Sequence, residues 1–273
     1  MKKKESLSPI ALILLVLFGI VCFLPFLWVL VSAVKPANEI MIKPFALPSR
    51  IMLSNFSSAW EQASIGSFFW NSLIISGISV GLILIVSAMS AYILGRVAPS
   101  LFLFTYFTMG IMIPLQAIVI PTFVIIKNMG LLNTRAGLIL AYTTSGLSFG
   151  IFVLTAFFRT IPGEMEEAAV IDGCSRGRIF TSILLPLAKP GLATVGTFVF
   201  LQCWNEYLFA SVLIAKPQFK TLTQGIMLLK GQYSTNYAVL CAGLTFAILP
   251  VLAAFIVLQK QVIRGLMAGA VKG

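Results

Sequence analysis

The sequence predicts an all-α, polytopic membrane protein with six transmembrane helices, and three observations carry that expectation. Of 273 residues 59% are hydrophobic and the mean hydropathy is +1.02, far above the range of soluble globular domains. Six apolar runs of roughly 20 residues or more recur along the chain, each long enough to cross a bilayer as a helix. The 19 basic residues, against 8 acidic ones, sit in short segments between those runs, where they act as topology anchors and not as a nucleic-acid footprint. The chain has no His, and Cys22, Cys174, Cys203 and Cys241 are scattered, so the spacing shows neither a zinc ligand set nor a disulfide framework.

Lys2, Lys3 and Lys4 precede the first run, residues 10–34. This run is longer than a signal-peptide core, although Val31-Ser32-Ala33 loosely resembles a cleavage site. Residues 35–68 read as an external loop of Pro, Asn, Ser and mixed charge, closed by the interfacial aromatics Phe68, Phe69 and Trp70. The second run, residues 69–94, carries Gly77 and Gly81 at GxxxG spacing, which predicts close packing inside a bundle. A turn at Arg96 and Pro99 leads to the third run, residues 101–126, where Pro114 and Pro121 predict a kinked or broken helix. The fourth run covers residues 138–158, the fifth 192–215 and the sixth 237–258, all within one transmembrane domain, residues 1–273. Six spans put both termini on one side. Eleven Lys and Arg fall on that side and eight on the other, which predicts cytoplasmic termini in a multi-pass protein.

Residues 160–191 interrupt this pattern with a polar loop on the side predicted to be cytoplasmic. It holds four of the eight acidic residues, Glu164, Glu166, Glu167 and Asp172. Pro162 suits the first turn of a helix, with Thr160 or Ile161 at the cap, and the glutamates behind it complement the helix dipole. Gly173 is a natural stop, and Ser175 can cap a second helix from Arg176 that Pro186 would end or bend. Met165, Ala168 and Ala169 fall at helical spacing as a small apolar stripe, with the alanines permitting close approach by a partner. Two readings stay open on these grounds: a docking surface for something outside the membrane, or an amphipathic hairpin lying on the lipid.

Glu167-Ala168-Ala169, Gly173, Ile183 and Leu185-Pro186 together fill every position of the pattern EAA-x3-G-x9-I-x-L-P. In this the chain resembles the permease subunits of ATP-binding-cassette importers. Trp204-Asn205-Glu206, GLTFAILPVL and the GAVKG ending are similar to the carbohydrate branch, in particular to the second maltose-type permease. The resemblance covers nearly the whole chain. It implies a type I importer permease fold in a bacterial cell membrane and a sugar import function. The implied partners are a second permease, two ATP-binding subunits, an extracellular sugar-binding protein, the sugar and membrane lipid, with no nucleic acid. It also makes the loop a coupling helix for the ATPase, with Glu166, Glu167, Ala168, Ala169, Asp172, Gly173 and Arg176 at the docking contact. The chain contains no G-x-x-x-x-G-K-[ST], so ATP and Mg are expected on the partner ATPase, with no catalysis, cofactor or metal in this chain. The C-terminal tail, with Arg264, Gly265, Gly269 and Gly273, reads as a disordered end or as a further ATPase contact, and its similarity to the family ending favours contact.

Glu206 is the sole acidic residue inside a predicted span, where a carboxylate must face the bundle interior, water or a donor. Gln202, Trp204, Asn205 and Glu206 are therefore candidates for a substrate pathway, the polar groups bonding sugar hydroxyls and Trp204 or Tyr207 stacking on a sugar face. An interhelical polar clamp is the alternative. An ion-coupled secondary transporter would show inverted repeats and more ionisable residues at mid-membrane. An intramembrane enzyme would need a catalytic constellation.

Overall fold

The computed structural model describes residues 8–62, 64–231 and 235–270, with side chains described except at 62, 258 and 260–270. Among the described residues all regular structure is helical. The helices are α1 (Pro9–Ala33), α2 (Ala37–Ile42), α3 (Ser54–Ser57), α4 (Ile65–Tyr92), α5 (Leu101–Thr108), α6 (Leu115–Asn128) and α7 (Arg135–Thr160). They continue as α8 (Glu164–Ile171), α9 (Arg176–Ile179), α10 (Leu185–Leu187), α11 (Lys189–Asn205), α12 (Leu208–Leu213), α13 (Leu222–Leu228) and α14 (Tyr237–Ala270). Four stretches are long and apolar enough to cross a membrane: Pro9–Ala33, Ile65–Val97, Arg135–Thr160 and Tyr237–Val257. Two bent pairs qualify when each is taken as one span, which gives up to six.

The chain forms two compact units. The first comprises Met1–Gly66 and Gly225–Ile248. Ser8 caps α1 by accepting a hydrogen bond from the Ala11 N–H at 3.2 Å, and the helix presents bare apolar side chains such as Ile13, Leu17 and Val21 on its surface. Beyond α1 the chain is tied down by polar groups. Lys35, 1% exposed, donates from Nζ to the carbonyls of Pro44 (3.0 Å) and Lys43 (3.3 Å), and Trp28 Nε1 donates to Pro44 as well. Asn55 Nδ2 bonds the carbonyls of Ala33 and Lys35, both at 2.9 Å. Those bonds satisfy the buried backbone groups at the exit from α1. On the surface, hydrogen bonds from Ser49 hold the Glu39 carboxyl below its ordinary pKa.

The second unit, Ser67–Gln224 and Leu249–Gly273, holds the larger core. Helices α4 and α7 approach closely at two glycines of α7. A Cβ added to Gly146 would meet Ile83 Cδ1 at 2.5 Å, and one added to Gly150 would meet Ser87 Cβ at 2.8 Å. The GxxxG pair expected to pack, Gly77 and Gly81 of α4, has nothing within 4 Å of either site. The small residues that admit a neighbour are thus those of α7, because close approach needs a facing helix as well as the spacing.

The third apolar run breaks. Helix α5 passes into a 3₁₀ turn over Met109–Met112, and the chain then bends by 101° into α6, whose N-cap is Pro114. Pro121 is accommodated inside α6. Ahead of Pro186, which has no N–H to give, the helical ladder widens into a π-helical turn over Phe180–Leu184.

The fifth run departs from expectation. Residues 192–215 are not one helix: α11 ends at Asn205, Glu206 is extended (ψ 131°), and α12 restarts at Leu208. Helix α14 continues to Ala270, and its part apolar enough to cross a membrane, Tyr237–Val257, matches the expected sixth span.

Candidate functional site

Two features of the second unit gather the chemistry of the chain. The first is the charged loop. Helix α8 starts at Glu164 with Gly163 at its N-cap, two residues later than Pro162 suggested, because Thr160 still belongs to α7. It stops as the sequence indicates. Gly173 adopts φ +76°, its N–H bonds the Val170 carbonyl (3.0 Å), and the Cys174 N–H bonds the Ala169 carbonyl (2.9 Å). This is a Schellman stop, in which the left-handed residue lets two carbonyls at the helix end find donors. Ser175 then caps α9 by accepting from the Arg178 N–H at 3.4 Å.

The faces of α8 divide the expected docking residues. Ala169 is 5% exposed and packs into the same core as the membrane helices, together with Ile179 and Leu184 of the following segment. Glu166 also turns inward, 3.2 Å from Arg96 Nε. Glu167, Ala168, Asp172, Gly173 and Arg176 lie on the exposed side. The exposed side also includes Met165 (45% exposed), Val170 (62%) and Ile171 (85%). Val170 and Ile171 were not among the expected contacts, and their signal was two large apolar residues at the end of a helix rich in acids.

Arg96 ties this loop to the membrane helices. It lies in the π-helical turn Ile93–Val97 that ends the α4 span, and it reaches across to the end of α7. Nη2 donates to the Phe158 carbonyl at 2.6 Å and also to the Ile161 carbonyl, and Nε donates to Phe158 at 3.0 Å. Carbonyls at a helix C-terminus carry partial negative charge, which a guanidinium complements. The Glu166 carboxylate supplies a countercharge on the other side, as an ion contact and not an aligned hydrogen bond. Tyr92 stacks on Phe180 at 5.2 Å between ring centroids, with Phe158 beside the latter at 6.4 Å.

The second feature is a cavity of about 490 Å³. One wall is the break between α5 and α6, with Gly110, Ile113 and Pro114. Thr144, Ser145 and Ser148 of α7 form another, and Gln202 of α11 with Phe209 of α12 complete it. Thr144 lies nine residues into α7, about 14 Å from its start at 1.5 Å per residue.

Of the four expected pathway residues, Gln202 alone lines this cavity. Trp204 is 2% exposed and packs against Phe69 (5.6 Å) and Phe200 (5.7 Å), so its ring faces belong to the core. Asn205 is exposed outside the cavity and bonds the Leu201 carbonyl of its own helix. Glu206 accepts from Tyr142 Oη (2.8 Å), from the Phe209 N–H (2.7 Å) and from the Ala210 N–H (3.1 Å). Its carboxylate thus caps the start of α12 and pins it to α7, which is the clamp arrangement. The Phe209 and Ala210 N–H groups, in the first turn of α12, thus find an acceptor just after the break.

A family model described as "Binding-protein-dependent transport system inner membrane component" matches residues 83–266. The chain belongs to that family. The matched segment of this inner membrane component contains Arg96, the charged loop and every residue of the cavity. Among relatives, the chain is 37% identical over 260 residues to the diacetylchitobiose uptake system permease protein NgcG of Streptomyces coelicolor, covering 94% of this chain and 86% of that one. It is 37% identical over 267 residues to the probable starch degradation products transport system permease protein AmyC of Thermoanaerobacterium thermosulfurigenes (95% and 96% covered). It is 35% identical over 254 residues to the melibiose/raffinose/stachyose import permease protein MelC of Bacillus subtilis (92% of each covered). In fold it is similar to a chain of a bacterial ABC transporter involved in the import of the acidic polysaccharide alginate, with TM-score 0.81, 22% identity, and 94% and 99% of the two chains covered. The fold is that of a type I importer permease, and the protein is a multi-pass membrane protein.

Proposed function

We propose that this chain is the transmembrane permease subunit of an ATP-binding-cassette sugar importer. It forms the translocation pathway with a second permease and couples to two cytoplasmic ATP-binding subunits through residues 160–191. An extracellular binding protein delivers the sugar. ATP and Mg are held by the ATPase, and both termini of this chain face the cytoplasm, as the Lys and Arg distribution supports. The family and the uptake-system relatives support this reading over an ion-coupled transporter.

The observation that carries the coupling role is the two-sided construction of α8. Its inner side is fixed by Ala169 in the core and by Glu166 against Arg96. Its outer side offers Ala168, Val170 and Ile171 among Glu167, Asp172 and Arg176. A rigid helix fastened behind and apolar in front suits a protein partner better than lipid, because the acids flanking that apolar patch would meet anionic headgroups. The C-terminal tail proposed as a second ATPase contact lies outside the residues whose side chains are described.

The test is purification of the tagged chain from its own membranes. An ATP-binding subunit and a second permease should accompany it. Glu167→Lys and Gly173→Asp should leave the chain inserted and abolish sugar uptake. Normal uptake by either variant would remove the docking role.

A further inference from the structure

We infer that the cavity between the two broken helices is a saccharide site within this subunit, built for a neutral sugar. The inference rests on the importer reading above and adds where, and by which side chains, the sugar is held. The breaks at Pro114 and at Glu206 both border this one cavity. The bend at Pro114 contributes Gly110 and Ile113, and the break at Glu206 is flanked by Gln202 before it and Phe209 after it. Irregular backbone at membrane depth is tolerated where it is buried in protein or lines a water-filled space, and broken helices mark binding sites in transporters.

The lining chemistry specifies the ligand class. Thr144 and Ser145 donate their hydroxyl protons to carbonyls of their own helix, at 2.9 to 3.0 Å, which leaves their oxygens as acceptors. Gln202, exposed in this wall, offers both a donor and an acceptor. Phe149, half-buried, gives an apolar face beside them. That combination matches a ring with hydroxyls on its rim and C–H groups on its face. No lining residue is ionisable, and the nearby Glu206 carboxylate already accepts three hydrogen bonds. A charged sugar acid would enter without a countercharge, which is costly away from water. The volume lies within the range of about 300–1,000 Å³ common for small-molecule sites.

The test uses the complete complex in membrane vesicles. Diacetylchitobiose, maltose and raffinose serve as neutral probes, and an oligouronate serves as the charged one. Gln202→Leu should lower uptake of the transported neutral sugar about tenfold, the effect of one lost hydrogen-bonding side chain. Ser145→Val, a smaller change, should act in the same direction. In a chain with its cysteines replaced, Thr144→Cys should react with a water-soluble thiosulfonate, about tenfold more slowly at roughly ten times the half-saturating sugar concentration. Wild-type uptake by both substituted chains, with no protection of Thr144→Cys, would overturn the site and leave the importer reading intact. Uptake of the oligouronate alone would overturn its neutrality. If the wild-type complex imports no sugar and no ATPase accompanies it, the importer reading falls and the site falls with it.

Discussion

Arg96 Nε stands 3.2 Å from Glu166 Oε1, joining the end of the second membrane helix to the inner side of α8. Both side chains are largely enclosed, at 15% and 20% exposure, and the same guanidinium holds two carbonyls at the end of α7. Arg96 thus links α8 to both α4 and α7, beside the packing of Ala169 into the core.

Replacing Arg96 by Ala removes those bonds and leaves Glu166 without its countercharge, a loss of about 1.5–3 kcal/mol for hydrogen bonds to a charged group. The complex should still hydrolyse ATP while sugar uptake falls about tenfold, the scale of a typical coupling energy. Arg96→Lys keeps the charge but not the planar fork and should lie between. Proteoliposomes measure hydrolysis and uptake together, and parallel retention of both in Arg96→Ala would contradict the strut role.

Gly173→Ala and Gly177→Ala separate backbone conformation from space. Neither position has an atom within 4 Å of an added Cβ, and Gly173 alone of the two has a positive φ, +76°. The first change should cost about 1–2 kcal/mol in the left-handed region. The second should be neutral or stabilising within a helix. Hydrogen exchange of α8 and ATPase retention on purification should report the first change and not the second.

Glu206→Ala should destabilise the second unit strongly, because Phe209 and Ala210 lose their acceptor and Tyr142 its partner; each buried group left unpaired costs about 1–3 kcal/mol. Tyr142→Phe removes one of the three bonds and should cost less. Thermal unfolding in detergent ranks the three proteins. If Glu206→Gln folds normally and changes the sugar dependence of ATP hydrolysis, the clamp role is incomplete.

Gly150→Ala places a Cβ 2.8 Å from Ser87 Cβ, so α4 and α7 must part. Overpacking of this kind costs about 1–3 kcal/mol. Ser87→Gly in the same chain should restore most of the lost thermal stability, whereas Gly77→Ala, in open space, should cost nothing measurable in this chain.

The features legible in the sequence were those determined within a few residues. Membrane class follows from run length. The stop at Gly173 and the cap at Ser175 are chosen by three or four neighbouring residues, so their positions held. Direction was not legible. Glu166 and Ala169 turn inward because Arg96 and the core of α4 and α7 lie behind them, and Arg96 is 70 positions upstream. Glu206 caps a new helix and not a sugar, because Tyr142, 64 positions earlier, and two backbone N–H groups claim its carboxylate. GxxxG spacing marked the glycines of α4, whereas the facing helix sits against those of α7. The cavity draws on the α5 to α6 break, α7, α11 and α12, and no local pattern announces it.

The most direct test of the coupling claim is a photo-crosslinking amino acid at Ile171, 85% exposed on the outer side of α8. In membranes carrying the whole transporter, irradiation should link this residue to the ATP-binding subunit, and the same probe at Ile42 of α2 should not. A crosslink to lipid alone at Ile171 would make the loop a surface hairpin and contradict the account.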